Sequence, residues 1–99
     1  MDKELIFKKS IDKDKDKTTI SRKFKEDIVD FYNDNSDIPT NKVLEMGCYA
    51  GYTSRVFSFI FDEVIAIDNR QKILDIAKKY NNDRDNIDFI LGNSYHKKG

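Results

Sequence analysis

Apolar residues along this chain switch between two spacings, and the switching predicts layered α/β architecture. From about Thr18 to Tyr32, the apolar positions Ile20, Phe24, Ile28, Phe31 and Tyr32 fall three or four apart, which is one face of a helix. A loop rich in turn formers follows, Asn33 to Thr40, around the only proline, Pro39. Lys42 to Met46 then reads as a strand. Its adjacent Val43 and Leu44 suggest burial on both faces, since parallel strands read as continuous apolar runs. Tyr52 to Phe61 carries the wide apolar face of a crossover helix, and Glu63 to Ile67 is a second strand. Asn69 stands where a cap belongs for the next helix, whose apolar positions are Ile73, Ile76, Ala77 and Tyr80. After the polar turn 81–86, Ile87 to Leu91 is a third strand.

Strand, helix, strand, helix, strand predicts a Rossmann-like parallel sheet. Right-handed crossovers would set the strands in the order 3-2-1, with every carboxyl end on one edge. Gly47, Asp68 and Asn93 each fall at such an end. Residues distant in sequence thus converge on one crevice, the place where open α/β sheets bind ligands.

The loop between the first strand and its helix is the most specific local signal. It reads Glu45-Met46-Gly47-Cys48-Tyr49-Ala50-Gly51-Tyr52-Thr53. An acid and two glycines four apart let the backbone turn sharply where a side chain would collide with a ligand. A second acid, Asp68, follows roughly 20 positions after Glu45, near the offset of nucleotide-site acids.

This stretch resembles the amino-terminal half of class I S-adenosylmethionine-dependent methyltransferases over about residues 42–95. Tyr49, where many members have a middle glycine, is similar to the Gly-x-Tyr-x-Gly-Tyr-Ser of small-molecule O-methyltransferases. The resemblance implies S-adenosyl-L-methionine as cofactor and assigns its binding to Glu45, Gly47, Tyr49, Gly51, Asp68, Asn69 and Asn93. It implies that Glu45 orients the loop or the cofactor's amino group, while Gly47 and Ala50-Gly51 line the methionine portion. Asp68 would accept both ribose hydroxyls, and Asn69 and Asn93 would meet the adenine. Asn93 departs from the commoner aspartate. Because the cofactor has no phosphate, a tyrosine at position 49 is compatible with it, whereas a pyrophosphate demands closer approach of the backbone.

Composition and length narrow the picture. The chain has 99 residues, enough for one small domain, and a complete fold of this family has about seven strands where this sequence supplies three. A fragment or truncated reading frame is therefore expected. The residues that choose and activate the methyl acceptor normally follow the fourth strand, so catalytic residues stay unknown and the acceptor unnamed, and activity of the chain alone is not expected. Lys plus Arg balance Asp plus Glu at 18 each, so no bulk field attracts nucleic acid or an anionic membrane. No apolar run approaches a membrane span, and a cytoplasmic protein is the expectation. Residues 1–17, with Lys13-Asp14-Lys15-Asp16-Lys17, read as a charged, solvated leader that need not be ordered, although Leu5-Ile6-Phe7 has the character to dock, as a strand or turn, on the partial methyltransferase domain at 18–99.

Other readings stay open at this stage. The glycines could make a plain strand-to-helix turn. Cys48, with no base near it in sequence, reads as a small packed residue rather than a nucleophile, and the lone His96 cannot make a metal site. Tyr49 and Tyr52 suit site lining and helix packing equally. A truncated, non-catalytic nucleoside-binding scaffold is the main alternative. An NAD-dependent oxidoreductase fragment is weaker, because Tyr49 breaks the Gly-x-Gly-x-x-Gly spacing. A sheet that stops at the first strand would leave an unpaired edge and uncovered apolar surface, which invites self-association.

Overall fold

A computed structural model describes residues 1–13 and 19–92. The strands β1 (Lys42–Met46), β2 (Glu63–Asp68) and β3 (Ile87–Leu91) form one parallel sheet in the order β1-β2-β3. Val43 pairs with Val64 and Val64 with Ile87; two residues on, Glu45 pairs with Ala66 and Ala66 with Phe89. The predicted α/β class and strand order are the observed ones. The expected third-strand and first-strand bounds also match.

Among the described residues four α-helices accompany the sheet, α1 (Lys3–Lys9), α2 (Thr19–Asp34), α3 (Tyr52–Ser58) and α4 (Gln71–Tyr80), with a short 3-10 turn at Ile11–Lys13. Both crossovers step in the same direction along the sheet, so the right-handed rule puts α3 and α4 on the same face. That face carries the core. Val64 and Ala66 of β2 are fully buried against Val56, Ile60, Phe61 and Leu74, with Val43, Ile87 and Phe89 packed at the margin. Tyr32 of α2 joins through an edge-to-face contact with Phe61, ring centroids 5.1 Å apart.

The opposite face corrects the reading of β1 as buried on both sides. Leu44 is 58% exposed and Met46 53%, and Ile90 is also exposed. No described element covers this face, so the adjacent apolar residues of β1 point to opposite environments. The crossover helix is also shorter than expected, ending at Ser58. Phe59 caps it, and Ile60 and Phe61 lie in the turn that leads to β2 while still packing in the core.

Within the stretch expected to be a charged leader, Lys3–Lys9 is helical, with the Asp2 side chain accepting the Leu5 backbone N–H at its start. Ile6 and Ile11 are buried in the core, so the apolar patch docks, but as one face of a helix rather than as the expected strand or turn. Arg55 fixes this arrangement. Its Nε donates to the Lys9 carbonyl at 2.7 Å, while its Nη1 and Nη2 hold the Asp83 carboxylate beyond α4.

A candidate nucleoside site at the carboxyl edge

Backbone hydrogen bonds lace the three strand ends together. The N–H groups of Gly47 and Cys48 both donate to the Ile67 carbonyl, at 2.7 and 2.9 Å, and Gly92 N–H donates to the Asp68 carbonyl at 2.9 Å. Between them lies a pocket of about 140 Å³ lined by Met46, Gly47, Ile67, Asp68, Asn69, Arg70 and Gly92. Whole small-molecule sites run to ~300–1,000 Å³, so this pocket is smaller than such a site. The pocket joins Gly47, Asp68 and Asn69 of the predicted set. Gly92 takes the third-strand position, and Asn93 and His96 lie outside the described residues.

The two loop glycines do different work. Gly47 has φ +73°, and a Cβ built on it would meet nothing within 4 Å, which leaves open space on the pocket side. Gly51 has φ +83° at the start of α3, and a Cβ there would fall 2.7 Å from Asn81 Nδ2 and 2.9 Å from Ala77 Cβ. Asn81 Nδ2 donates to the Gly51 carbonyl at 3.0 Å and to the Ala77 carbonyl at the same distance. Gly51 therefore lets α3 approach the end of α4, and it is buried there rather than lining the pocket. Between them, Tyr49 sits at φ +56°, in left-handed backbone uncommon for a tyrosine.

That turn aims the Tyr49 N–H at Asp68 Oδ2, 3.1 Å away. Asp68 is only 3% exposed, yet Arg70 and the Tyr49 backbone hold its carboxyl below the usual carboxylate range against the cost of burial. Arg70 Nε lies 2.9 Å from Oδ1 and Nη2 lies 3.1 Å from Oδ2, and the guanidinium rests over the Tyr49 ring at 5.1 Å. Sequence reading missed Arg70. Its signal was an arginine two residues past the strand-end acid. Asp68 also accepts the Arg70 backbone N–H at 3.1 Å, and Arg70 rather than Asn69 is the N-cap of α4, with no side-chain cap bond. The expected capping role of Asn69 is thereby corrected: α4 begins at Gln71, so Asn69 stands one residue before the cap position. Asn69 is instead exposed at the pocket.

Glu45 faces the helical side of the sheet and accepts a hydrogen bond from Ser54 Oγ of α3. Burial pushes its carboxyl up to about 7, with the Ser54 bond opposing the shift. On the other side of the loop, a cavity of about 160 Å³ is bounded by Ser21, Lys25, Cys48, Tyr49, Tyr52 and Thr53. Lys25, a residue the sequence did not single out, is 4% exposed there and donates to Ser21 Oγ at 2.7 Å. Cys48 is buried as expected, and desolvation raises its thiol to about 11, which leaves it protonated and poorly nucleophilic at neutral pH. Tyr52 packs edge-to-face on Tyr80, centroids 4.7 Å apart, while Tyr49 is exposed at the loop. Among the described residues no group of three or more His, Cys, Asp or Glu could hold a metal ion. No described helix is long and apolar enough to cross a membrane.

No family model matches the chain, and no curated sequence matches it. Solved structures do. Coclaurine N-methyltransferase bound to N-methylheliamine and S-adenosylhomocysteine shares 19% identity, with 86% of this chain and 26% of that one covered at a TM-score of 0.58. A protein-L-isoaspartate O-methyltransferase shares 25% identity over 71% of this chain and 24% of its own, TM-score 0.56. Phosphoethanolamine N-methyltransferase 1 of Haemonchus contortus, with phosphoethanolamine and S-adenosylhomocysteine, shares 21% over 69% of this chain and 15% of its own, TM-score 0.55. The chain spans about a quarter or less of the length of these structures. The described residues therefore have a class I methyltransferase fold, as far as its first three strands and their helices.

Proposed function

We propose that this chain is the S-adenosylmethionine-binding portion of a class I methyltransferase whose methyl acceptor is unassigned. One observation carries the reading: the open space beside Gly47 and the carboxylate of Asp68 face one pocket at the carboxyl ends of β1 and β2. The residues fit a sulfonium nucleoside. An ionised carboxylate takes two hydroxyl donors from a ribose, and a loop with a tyrosine in it needs no phosphate. Gly47 and the Tyr49 backbone would border the amino-acid portion, Asp68 the ribose, and Asn69 the adenine. Glu45 would hold α3 against β1 through Ser54 and so set the loop's position, without contact to the ligand. When bound, the cofactor supplies a methyl group on a positively charged sulfur, whose transfer depends mainly on alignment with an acceptor.

The test is calorimetric titration of the chain with S-adenosylmethionine and S-adenosylhomocysteine, with NAD for comparison. The sulfur nucleosides should bind and NAD should not. Asp68→Ala should abolish binding while Cys48→Ala leaves it nearly intact. Equal losses in the two variants, or equal binding of NAD, would overturn the assignment. Binding without turnover against any acceptor would place the chain in the second reading, a nucleoside-binding scaffold.

A further inference from the structure

The carboxylate expected to receive a ribose is already fully engaged. Asp68 Oδ1 accepts from the Arg70 backbone N–H at 3.1 Å and from Arg70 Nε at 2.9 Å. Its Oδ2 accepts from the Tyr49 backbone N–H and from Arg70 Nη2, both at 3.1 Å. A carboxylate offers about four lone-pair directions, and all of them are taken. The four donors differ in what it takes to move them. Two are main-chain groups fixed by the β1–α3 loop and by the start of α4. The other two belong to a single side chain, 50% exposed, on a flexible stem.

We infer that Arg70 is a latch on this site: in the free protein its guanidinium holds the place of a ribose diol on Asp68, and a nucleoside binds by exchanging two hydroxyl donors for the two from Arg70. The inference rests on the adenosyl reading given above. The donor count is what carries it. Two donors leave, two arrive, and the main-chain donors of Tyr49 and Arg70 stay, so the backbone of the loop need not move. The exchange is even in number but uneven in strength, since a guanidinium–carboxylate bond is charge-assisted and a hydroxyl–carboxylate bond is only half so. Every binding event therefore works against the latched population, which lowers the apparent affinity by the fraction of molecules left open. Once displaced, the guanidinium gives up the Tyr49 ring as well. Arg70 is thus a determinant of affinity for ribose-bearing ligands that makes no bond to them.

The experiment titrates the whole chain and its Arg70→Met and Arg70→Lys variants with S-adenosylhomocysteine and with adenosine as the minimal probe. Methionine keeps an apolar stem over Tyr49 and removes the donors, and unfolding curves check that the exposed substitution leaves the fold intact. The expected result is about two- to fivefold tighter binding by Arg70→Met, the range of a partly exposed ion pair, with Arg70→Lys in between. Binding by Arg70→Met alone would support the latch in its strongest form. If the native chain binds and Arg70→Met binds equally or more weakly, Arg70 is no competitor and the latch is overturned while the adenosyl reading stands. If no protein binds either probe, both fall together.

Discussion

Arg55 Nη1 and Nη2 hold the two carboxylate oxygens of Asp83 at 2.7 and 2.8 Å, and the arginine side chain is only 2% exposed. The same guanidinium donates to the Lys9 carbonyl and stacks against Phe59 and Tyr80, so one cation joins α1, α3 and the turn after α4. Asp83 is 53% exposed, which discounts the pair's worth, but losing the carboxylate strands a buried charge. Asp83→Asn should therefore destabilise the chain by about 1–3 kcal/mol in urea unfolding. Arg55→Met combined with Asp83→Asn should cost less than the two single changes added. Strict additivity would mean the pair is not coupled.

The different surroundings of the two loop glycines separate a packing role from a binding role. Gly51→Ala drives a methyl into Ala77 and Asn81 in left-handed backbone, and should cost about 2–4 kcal/mol in stability. Gly47→Ala meets no neighbour and carries only the left-handed strain, about 1–2 kcal/mol, yet it fills the space where a ligand would approach. Gly47→Ala should thus lose S-adenosylhomocysteine binding while remaining folded. A Gly47→Ala protein that binds normally would remove the loop from the site.

Glu45 gives the stability a specific pH dependence. Its folded carboxyl titrates near 7 against about 4.5 when unfolded. The folded state therefore holds a proton that the unfolded state releases, and stability falls as pH rises from about 4.5 to 7 and is level above it. Glu45→Gln keeps an acceptor for Ser54 and has no proton to lose, so its unfolding free energy should be flatter across that window and higher than the native chain's at pH 8 by about 1–3 kcal/mol. Lower stability of Glu45→Gln at pH 8 would show that the ionised form is favoured in the fold.

The sheet was legible because its signals are local. Two strand bounds, at β1 and β3, and the strand order follow from apolar runs and the crossover rule, and Asp68 is marked by its place at a strand end. What escaped was set by partners far apart in the chain. Nothing near Gly51 in sequence announces Ala77 and Asn81, and the burial of Arg55 depends on Lys9 and Asp83. Arg70 lay in plain view beside Asp68, but an arginine at a helix start is usually solvated, and only the donor geometry gives it meaning. The two-sided burial of β1 was misread because a Val-Leu pair looks the same whether one face or both are covered.

That uncovered face leads to the last expectation, that two copies of the chain associate along β1. The strand ends the sheet, and its outer backbone groups have no strand beside them among the described residues. An antiparallel pairing of β1 with its symmetry mate would centre on Leu44 and extend the sheet from three strands to six. It would set Leu44 of one copy opposite Leu44 of the other, and Met46 opposite Lys42, on the face that no described helix covers. The contact is small beside the ~1,600 Å² of a standard interface, so the dimer should be weak and concentration-dependent. Sedimentation equilibrium across a dilution series should show a monomer–dimer exchange, and Leu44→Lys should shift it to monomer by placing like charges opposite each other at the centre of the pairing. A strict monomer at every concentration, with Leu44→Lys unchanged in stability, would mean that this edge does not pair with itself.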